Sequence, residues 1–285
     1  MFRNTLLFVC LLAAGIVLWA GSAQAATITV NVPTTISNSQ TYTGVYVNSV
    51  LDITTGGTLN ASGEFFINNN GNANSTVNVN GGTLNYTYTG GDGFQVGWWY
   101  GGHFNISAGS ATLAILQCYD GDVTVSGTGL LSVLNNDTVL GEYDDFHNHL
   151  TISGGTANLR GVNLTRNGDV NGPQTLTLSG GTLSLGAGGI YGHSSSIIDF
   201  SGGTLKLSNN GAINRPLSSD TVDYLYIDGL PMAAGTWGKT GSGADHFNDT
   251  YFKGTGVLNV NLPEPATMAL LAVGGIAALL RRKRK

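Results

Sequence analysis

The stretch LTLSGGTLSL, residues 176–185, decides the fold of this chain. Its four leucines alternate with Thr and Ser, which is the period-2 pattern of a strand with one buried face. Gly180 and Gly181 interrupt the alternation in the middle, and glycine supplies the positive-φ conformations that a sharp corner needs. The stretch therefore predicts a strand, a corner and a second strand.

The same unit recurs along the chain. Copies occupy residues 77–86, 150–159 and 198–207, with a degenerate copy at 104–113 and copies with longer corners at 51–59 and 123–133. A corner that is one residue longer shifts the following apolar positions, which predicts a β-bulge. The last apolar residue before each corner recurs every 19–27 residues, a period typical of a solenoid. These residues are Ile53, Val79, Ile106, Val125, Ile152, Leu178 and Phe200.

A second short apolar segment follows each outgoing strand and precedes a polar loop. Phe65-Phe66-Ile67, Phe94-Gln95-Val96 and Val139-Leu140 are examples. Each repeat therefore offers three strand segments, and one repeat cannot bury its apolar face without neighbours. We predict an all-β chain that forms a right-handed parallel β-helix of about seven coils with a C-terminal β cap. A β-sandwich is the alternative.

The two ends of the chain have the composition of targeting segments. Residues 1–25 combine Arg3, an apolar run and a small-x-small site before Ala26, which predicts a secretory signal peptide. An uncleaved membrane anchor is the alternative. At the other end, residues 262–285 contain Pro263-Glu264-Pro265, a fifteen-residue apolar run and a basic terminus. That run reaches roughly 22 Å, less than the ~30 Å hydrocarbon core, so it holds a membrane only marginally.

The tail of residues 262–285 resembles the PEP-CTERM sorting signals of exported bacterial proteins. The resemblance rests on the Pro263-Glu264-Pro265 motif, the short span and the basic end occurring together. It implies recognition by an exosortase, a membrane protease or transpeptidase, and delivery to the cell surface, outer envelope or extracellular matrix. The basic end would stay on the cytoplasmic side, which leaves the body outside. A simple membrane tail anchor is the alternative.

The repeats, with SGGTL at the corner, resemble autotransporter-associated β-strand repeats over about residues 50–215. The resemblance implies a β-helical stalk or scaffold and no activity. The repeat region is predicted over residues 26–215, and residues 216–261 break its pattern. This second segment resembles the closing segment of repeat proteins with the same tail. We expect it to cap the last coil, with Trp237 and Phe252 as the covering side chains.

Charge and cysteine content exclude several classes of protein. Only 10% of the 285 residues are charged, and residues 26–262 contain six cations against sixteen acids, a formal net charge of −10. Nucleic acid is therefore an improbable partner. Cys118 is the single cysteine after the predicted signal peptide, which excludes a disulfide-stapled scaffold.

Few polar clusters are candidates for chemistry. Glu142 to His149 contains three acids and two histidines, but their spacing matches no known ligand pattern, and Asp120-Gly121-Asp122 needs no metal to form a turn. Arg160 and Arg166 are the closest pair of body cations and are interpreted as surface charges. We therefore predict no catalytic residue, no metal site and no cofactor. Asparagine-rich segments are expected to form hydrogen-bonded ladders between coils.

Trp98-Trp99-Tyr100 is the best candidate for binding. Adjacent strand residues face opposite ways, so one Trp is expected outside the core, where it could stack on a sugar ring. Packing within the protein is the alternative. The sequence favours a non-enzymatic exported surface or matrix protein in adhesion or exopolysaccharide organisation. A polysaccharide-binding or polysaccharide-degrading β-helix is the second hypothesis.

Overall fold

The computed structural model describes residues 26–68, 75–90, 93–98, 101–141, 148–164, 174–192, 196–214, 217 and 220–262. All regular secondary structure in these residues is β-strand, as predicted, and they contain no helix. The strands form one large, mostly parallel sheet of nineteen strands and a second sheet of four.

The strand bounds show how the repeats are used. The large sheet contains β1 (Ala26–Val30), β2 (Thr34–Ile36), β3 (Ser39–Val47), β4 (Val50–Thr54), β5 (Thr58–Ala61), β6 (Phe65–Ile67), β7 (Ser75–Tyr86), β8 (Phe94–Val96), β9 (Gly102–Leu113), β10 (Gln117–Cys118), β11 (Gly121–Val125), β12 (Leu130–Val133), β13 (Thr138–Leu140), β14 (His149–Leu164), β15 (Thr175–Gly192), β16 (Ile197–Phe200), β17 (Thr204–Leu207), β19 (Tyr224–Ile227) and β20 (Leu230–Pro231). The small sheet contains β18 (Thr221–Val222), β21 (Gly235–Gly238), β22 (His246–Phe247) and β23 (Leu258–Val260).

Three parallel ladders run through the large sheet. The first ladder contains β2, β4, residues 75–79, residues 102–106, β11, residues 149–152, residues 175–178 and β16. The second ladder contains residues 39–42, β5, residues 83–86, residues 110–113, β12, residues 156–159, residues 182–185, β17 and β19. The third ladder contains β1, residues 44–47, β6, β8, β10, β13, residues 161–164 and residues 189–192. Each repeat up to residue 192 contributes to all three ladders, and the last repeat contributes β16 and β17 to the first two, so the strands form a ring around a common interior.

The register of the first ladder confirms the predicted alignment of the repeats. The residues that precede each corner pair one after another along the ladder. This series runs through Ile53, Val79, Ile106, Val125, Ile152, Leu178 and Phe200. The spacing of apolar residues in the sequence therefore determines which residues pair.

The inside and outside positions also follow the alternation. Leu176, Leu178 and Leu183 are fully buried in the core. Their sequence neighbours Thr177 and Ser184 are half-buried. Burying a leucine side chain contributes about 1.5–3 kcal/mol. Because every coil contributes such residues, the apolar interior is continuous from β1 to the end of the large sheet.

Glycine is required at the corners because neighbouring coils approach closely there. Gly181 has a φ of 66°, and a Cβ at this position would lie 2.5 Å from the backbone of the preceding corner. The longer corner at residues 126–129 is a turn between β11 and β12 rather than the bulge that we predicted. The turn absorbs the extra residue, so the pairing resumes with Leu130 opposite Thr156.

Parallel pairing extends beyond the seven repeats at both ends. At the N-terminal side, β1 pairs with β3 and β2 pairs with β4. At the C-terminal side, β19 continues the second ladder beyond β17, although its sequence lacks the Gly-Gly corner. The short strands β1, β2 and β19 thus fit the ladders without the Gly-Gly corner, because their buried and outward positions alternate as in the repeats.

The small sheet consists of β18, which precedes β19, and of β21 to β23, and in it β21 pairs antiparallel with β23. Phe252 is buried in the common core, and its backbone forms a parallel bridge with Ile213. Trp237 is half-buried and packs against the core. Both side chains lie where a cap would place them.

Candidate functional site

Trp98 follows β8 and packs within the protein. Its ring centroid lies 5.9 Å from that of Phe66 and 5.0 Å from that of Tyr119, the latter in an edge-to-face arrangement. Its side chain is half-buried, which agrees with the packing alternative for this residue. Trp99 and Tyr100 lie outside the described residues, so a glycan contact through Trp98, Trp99 and Tyr100 stays a prediction.

The aromatic side chains around Trp98 cover the outer face of the third ladder. Phe66 and Gln95 are paired neighbours on this face and are almost completely buried, although alternation predicts that they point to solvent. Gln95 donates a hydrogen bond to the Tyr119 hydroxyl over 3.4 Å, and that hydroxyl donates to Gln117 over 3.4 Å. The third ladder is thus buried on both faces, which explains its continuous apolar runs.

Tyr46 extends this aromatic row toward the N-terminal coil. Its ring stacks on Phe66 with centroids 5.4 Å apart, and its hydroxyl donates a hydrogen bond to Glu64 over 2.5 Å. The bond to the Glu64 carboxylate raises the pKa of Tyr46 to about 12. The hydroxyl therefore stays protonated at neutral pH and serves as a donor rather than a base.

Two histidines flank one carboxylate on the outer face of the first ladder. Asp122 pairs with His103 on one side and His149 on the other, with N–O distances of 3.2 and 3.6 Å. The imidazoles approach the carboxylate from opposite sides and do not converge on one point. In the part of the chain that the structure describes, no three His, Cys, Asp or Glu side chains are grouped to hold a metal ion.

The rest of the acidic cluster at Glu142 to His149 is only partly visible. Residues 142–147 lie outside the described residues. Asn148 is completely buried and serves a structural role, because its amide accepts from Gly121 over 3.0 Å and donates to Tyr119 over 3.2 Å. The Asp120 carboxylate likewise accepts a backbone hydrogen bond from Gly101 over 3.0 Å. Asp120 and Asn148 therefore stabilise corners between coils.

Arg160 forms an ion pair with Asp137 over 3.0 Å. The same carboxylate accepts a hydrogen bond from the Tyr191 hydroxyl over 2.8 Å, so one acid holds groups from two later coils. Arg160 is half exposed, which agrees with its interpretation as a surface charge, and Arg166 lies outside the described residues.

Cys118 is buried, and burial raises the pKa of its thiol well above the usual range, so the thiolate needed for nucleophilic chemistry is disfavoured.

Asparagine ladders form as expected, although at positions that were not singled out in the sequence. Asn105 donates to Asn78 over 3.0 Å, and Asn78 donates to Asp52 over 2.8 Å, along the first ladder. On the second ladder Asn85 donates to Asn60 over 2.9 Å. Only the register of the coils could identify these pairs, because 25–27 residues separate the partners.

Sequence reasoning missed the outer face of the second ladder as a candidate site. From residue 39 to residue 184 its outward residues contain no charge, and all but one of them are Ser, Thr or Asn. The signal was present in the sequence as the first and third residues after each corner. It becomes a surface only when the coils are aligned.

No helix within the described residues has the length and apolar character to cross a membrane. The apolar run of the C-terminal tail, like Pro263, Glu264 and Pro265, lies outside these residues. The predicted signal peptide at residues 1–25 also lies outside them.

The family model of the PEP-CTERM protein-sorting motif matches residues 261–285. The match includes Pro263-Glu264-Pro265 and supports an exported protein that passes the membrane and is sorted by an exosortase. No curated protein and no solved structure matches the chain. The likeness of the repeats to autotransporter-associated β-strand repeats therefore stays a prediction.

Proposed function

We propose that this chain is a non-enzymatic structural protein of the cell surface or extracellular matrix, which acts in adhesion or exopolysaccharide organisation. The observation that carries the proposal is the sorting motif at residues 261–285. An exosortase-type protease or transpeptidase is the partner that this motif implies, and exopolysaccharide is the proposed partner of the body. After processing, the body would be retained outside the cell.

A right-handed parallel β-helix is the architecture that we propose for the body. Three parallel ladders that connect each repeat to the next support this proposal. Such a scaffold is suited to a structural role because each coil contacts only its neighbours, and the number of coils sets the length of the rod.

The absence of enzymatic activity belongs to the same proposal. The polar side chains with resolved partners hold corners and neighbouring coils together, as Asp137 and Asn148 do. We expect no release of reducing sugars or unsaturated uronates from common polysaccharides. Turnover that is abolished by Asp144→Ala, Asp145→Ala or His147→Ala would show that the acidic loop is catalytic.

Fractionation of cells that express the tagged chain tests the sorting. The full chain is compared with a chain that ends at Leu262, and both are expressed with and without the host's exosortase. We expect the full chain in the surface or matrix fraction, and the shortened chain folded but released to the medium. The last strand, β23, ends at Val260, before the removed tail, so the body keeps its pairing.

A replacement of Glu264 by alanine in the full-length tail separates recognition from membrane insertion. The apolar run and basic end are intact in this variant, so a simple membrane anchor would still retain the chain. Loss of processing in Glu264→Ala supports exosortase sorting. Equal retention of the unaltered chain and of Glu264→Ala, whether or not the exosortase is present, would contradict exosortase sorting.

A further inference from the structure

The outer face of the second ladder, called the second face below, contains two parallel files of outward side chains, which from residue 39 to residue 184 are Ser, Thr or Asn except at Leu130. In each coil two residues point outward, and the files stack in register from one coil to the next. The first file is Ser39, Thr58, Thr83, Ser110, Leu130, Thr156 and Thr182, and the second is Thr41, Asn60, Asn85, Thr112, Ser132, Asn158 and Ser184.

The side chains of the second face are held in a regular array. Stacked strands are about 4.8 Å apart, so hydroxyl and amide groups repeat at that interval along the ladder. Threonine is stiff at χ1, and Asn60 and Asn85 are connected by a hydrogen bond of 2.9 Å. The described strands show the same alternation of buried and half-exposed residues from coil to coil. Little side-chain entropy is therefore lost when a ligand binds to this array.

Two tyrosines continue the files at the C-terminal end of the second face. Tyr224 pairs with Thr204, and Tyr226 pairs with Lys206, whose ammonium lies 5.6 Å from the Tyr226 ring centroid. Tyr224 is 40% exposed, so its ring is accessible to solvent at the end of the first file. Exposed aromatic rings in line with hydroxyl groups are the combination that recognises sugars, whose faces are apolar and whose edges are polar.

We propose that the second face binds a neutral polysaccharide in an extended form, with its chain along the stacking axis and its end over Tyr224. Hydroxyl and amide groups both donate and accept hydrogen bonds, as the hydroxyls of a sugar require. A sugar residue in an extended chain has nearly the length of one coil, so the residues of the chain stay close to the spacing of the hydroxyl and amide groups along the ladder. This inference rests on the proposed role in exopolysaccharide organisation and names the class of polysaccharide and the face.

Charge disfavours an acidic polymer on this face, because the one cation in its two files, Lys206, lies at the C-terminal end beside Tyr226. The files from residue 39 to residue 184 contain no cation, and the body between the two targeting segments has a formal net charge of −10. The outer face of the first ladder differs, because Asp52, Asp122 and Asp199 lie on it. A neutral polymer avoids repulsion by these acids, and its binding to the second face does not depend on salt.

Binding of the exported, processed chain to insoluble polysaccharides tests the inference. Particles of cellulose, insoluble β-1,3-glucan and chitin are the probes, and depletion of protein from solution gives the dissociation constant at low and high NaCl. We expect binding to at least one of them, with the same dissociation constant at both salt concentrations. Tyr224→Ala removes the aromatic ring, and Ser132→Glu places a charge in the middle of the second file; each should weaken binding by about tenfold.

Thr151→Glu is the matched control, because Thr151 is a half-exposed position on the outer face of the first ladder. It should bind as the unaltered chain does, and thermal unfolding followed by circular dichroism verifies that each variant is folded. Should Ser132→Glu fail to fold, Tyr224→Ala at an exposed position decides the outcome.

Three outcomes would overturn the inference. The unaltered chain could bind none of the three particles, or Thr151→Glu could weaken binding as much as the variants of the second face. A dimer in light scattering that Ser132→Glu dissociates would show that the face holds a second copy of the chain. Failure of the proposed function is distinguishable, because retention through the tail is measured by fractionation and does not involve the second face.

Discussion

The repeats and the segment that follows them, residues 216–261 and called the closing segment below, are stabilised by different interactions. In the repeats, Leu178 and its equivalents form a buried apolar column, because each repeat places an apolar residue at the same position of the first ladder. In the closing segment, short strands are joined by side-chain hydrogen bonds, and the Asp245 and Asp249 carboxylates each bind a threonine nine residues earlier. The difference shows that each repeat packs against an equivalent apolar residue of the next repeat. The last strands have no such neighbour and depend on individual side-chain hydrogen bonds.

The largest effect is expected for Leu178→Asp in the repeats. Leu178 is completely buried, so the variant places an unpaired carboxylate in the apolar column at a cost of several kcal/mol. That cost is a large part of a typical stability of about 5–15 kcal/mol. Thr177→Asp is the control, because Thr177 points outward in the same strand. Chemical unfolding measures both, and equal losses of stability would contradict the register of β15.

Phe252→Ala should have the largest effect in the closing segment. Phe252 is 2% exposed and is in the common core, and a Phe→Ala change in a core costs about 3–5 kcal/mol. Because the backbone of Phe252 pairs with Ile213, the loss should spread into the last coil. Hydrogen exchange should increase in β17 and β19 while residues 102–133 stay protected. Phe247→Ala, at an exposed aromatic residue, is the control and should change neither region.

Tyr251→Phe tests a polar connection between the two regions. The Tyr251 hydroxyl donates to Asp228 over 2.6 Å and accepts from the Asn210 amide over 3.2 Å. Losing a hydrogen bond to a charged acceptor should cost about 1–2 kcal/mol while the ring keeps its packing. Thermal unfolding measures the change. A variant as stable as the unaltered chain would show that the hydroxyl is replaced by water at no cost.

The smallest effect is expected from acid, and only in the closing segment. Backbone and side-chain hydrogen bonds from Thr236 lower the pKa of Asp245, and those from Thr240 lower the pKa of Asp249. A lowered folded-state pKa stabilises the folded state above the unfolded pKa, and this contribution is lost as the pH falls from about 4 through the folded-state values. The protection of the Thr236 and Thr240 amides, measured as exchange relative to the intrinsic rate at each pH, should therefore decrease in this range.

Asp245→Asn is the control for the acid effect. The side-chain amide of asparagine cannot titrate, so the protection factor at Thr236 should no longer depend on pH in this range, while the protection factor at Thr240 still should. The Thr177 amide in the repeats should stay protected throughout. Equal acid sensitivity of the repeats and the closing segment would contradict the assignment to these two carboxylates.

Much of the fold was predictable from the sequence, because its main determinant is local. Alternation around a Gly-rich corner identified the buried leucines of β15 and the seven residues that pair along the first ladder. Residues Phe65 and Phe94 were placed in third segments, and they pair in β6 and β8. The prediction of a bulge at residues 126–129 was wrong, because a turn of four residues absorbs the extra residue without disturbing the strands.

Candidate sites were predicted less well, because each depends on which coils are neighbours. One of Trp98 and Trp99 was expected outside the core, and the alternation could not say which; Phe66 and Tyr119, 32 and 21 residues from Trp98 in the chain, pack against the Trp98 ring. Gln95 and Gln117 are buried beneath that cluster, and neither was identified in the sequence as part of a site. The sorting motif was identified correctly, since Pro263-Glu264-Pro265 and the residues around it form a linear signal that needs no fold.

The sequence by itself determined the strands, their inward and outward faces, the register of the repeats and the sorting tail. These properties follow from the side-chain period of a strand and from the order of residues in a short segment. Only the tertiary structure decided that the third ladder is covered on its outer face from β6 to residues 161–164, and that the second face is a mostly small, polar array with Lys206 and two tyrosines at its end. Both depend on residues about 20–30 positions apart in the chain that the stacking of coils places about 4.8 Å apart, a proximity that alternation within one segment does not contain.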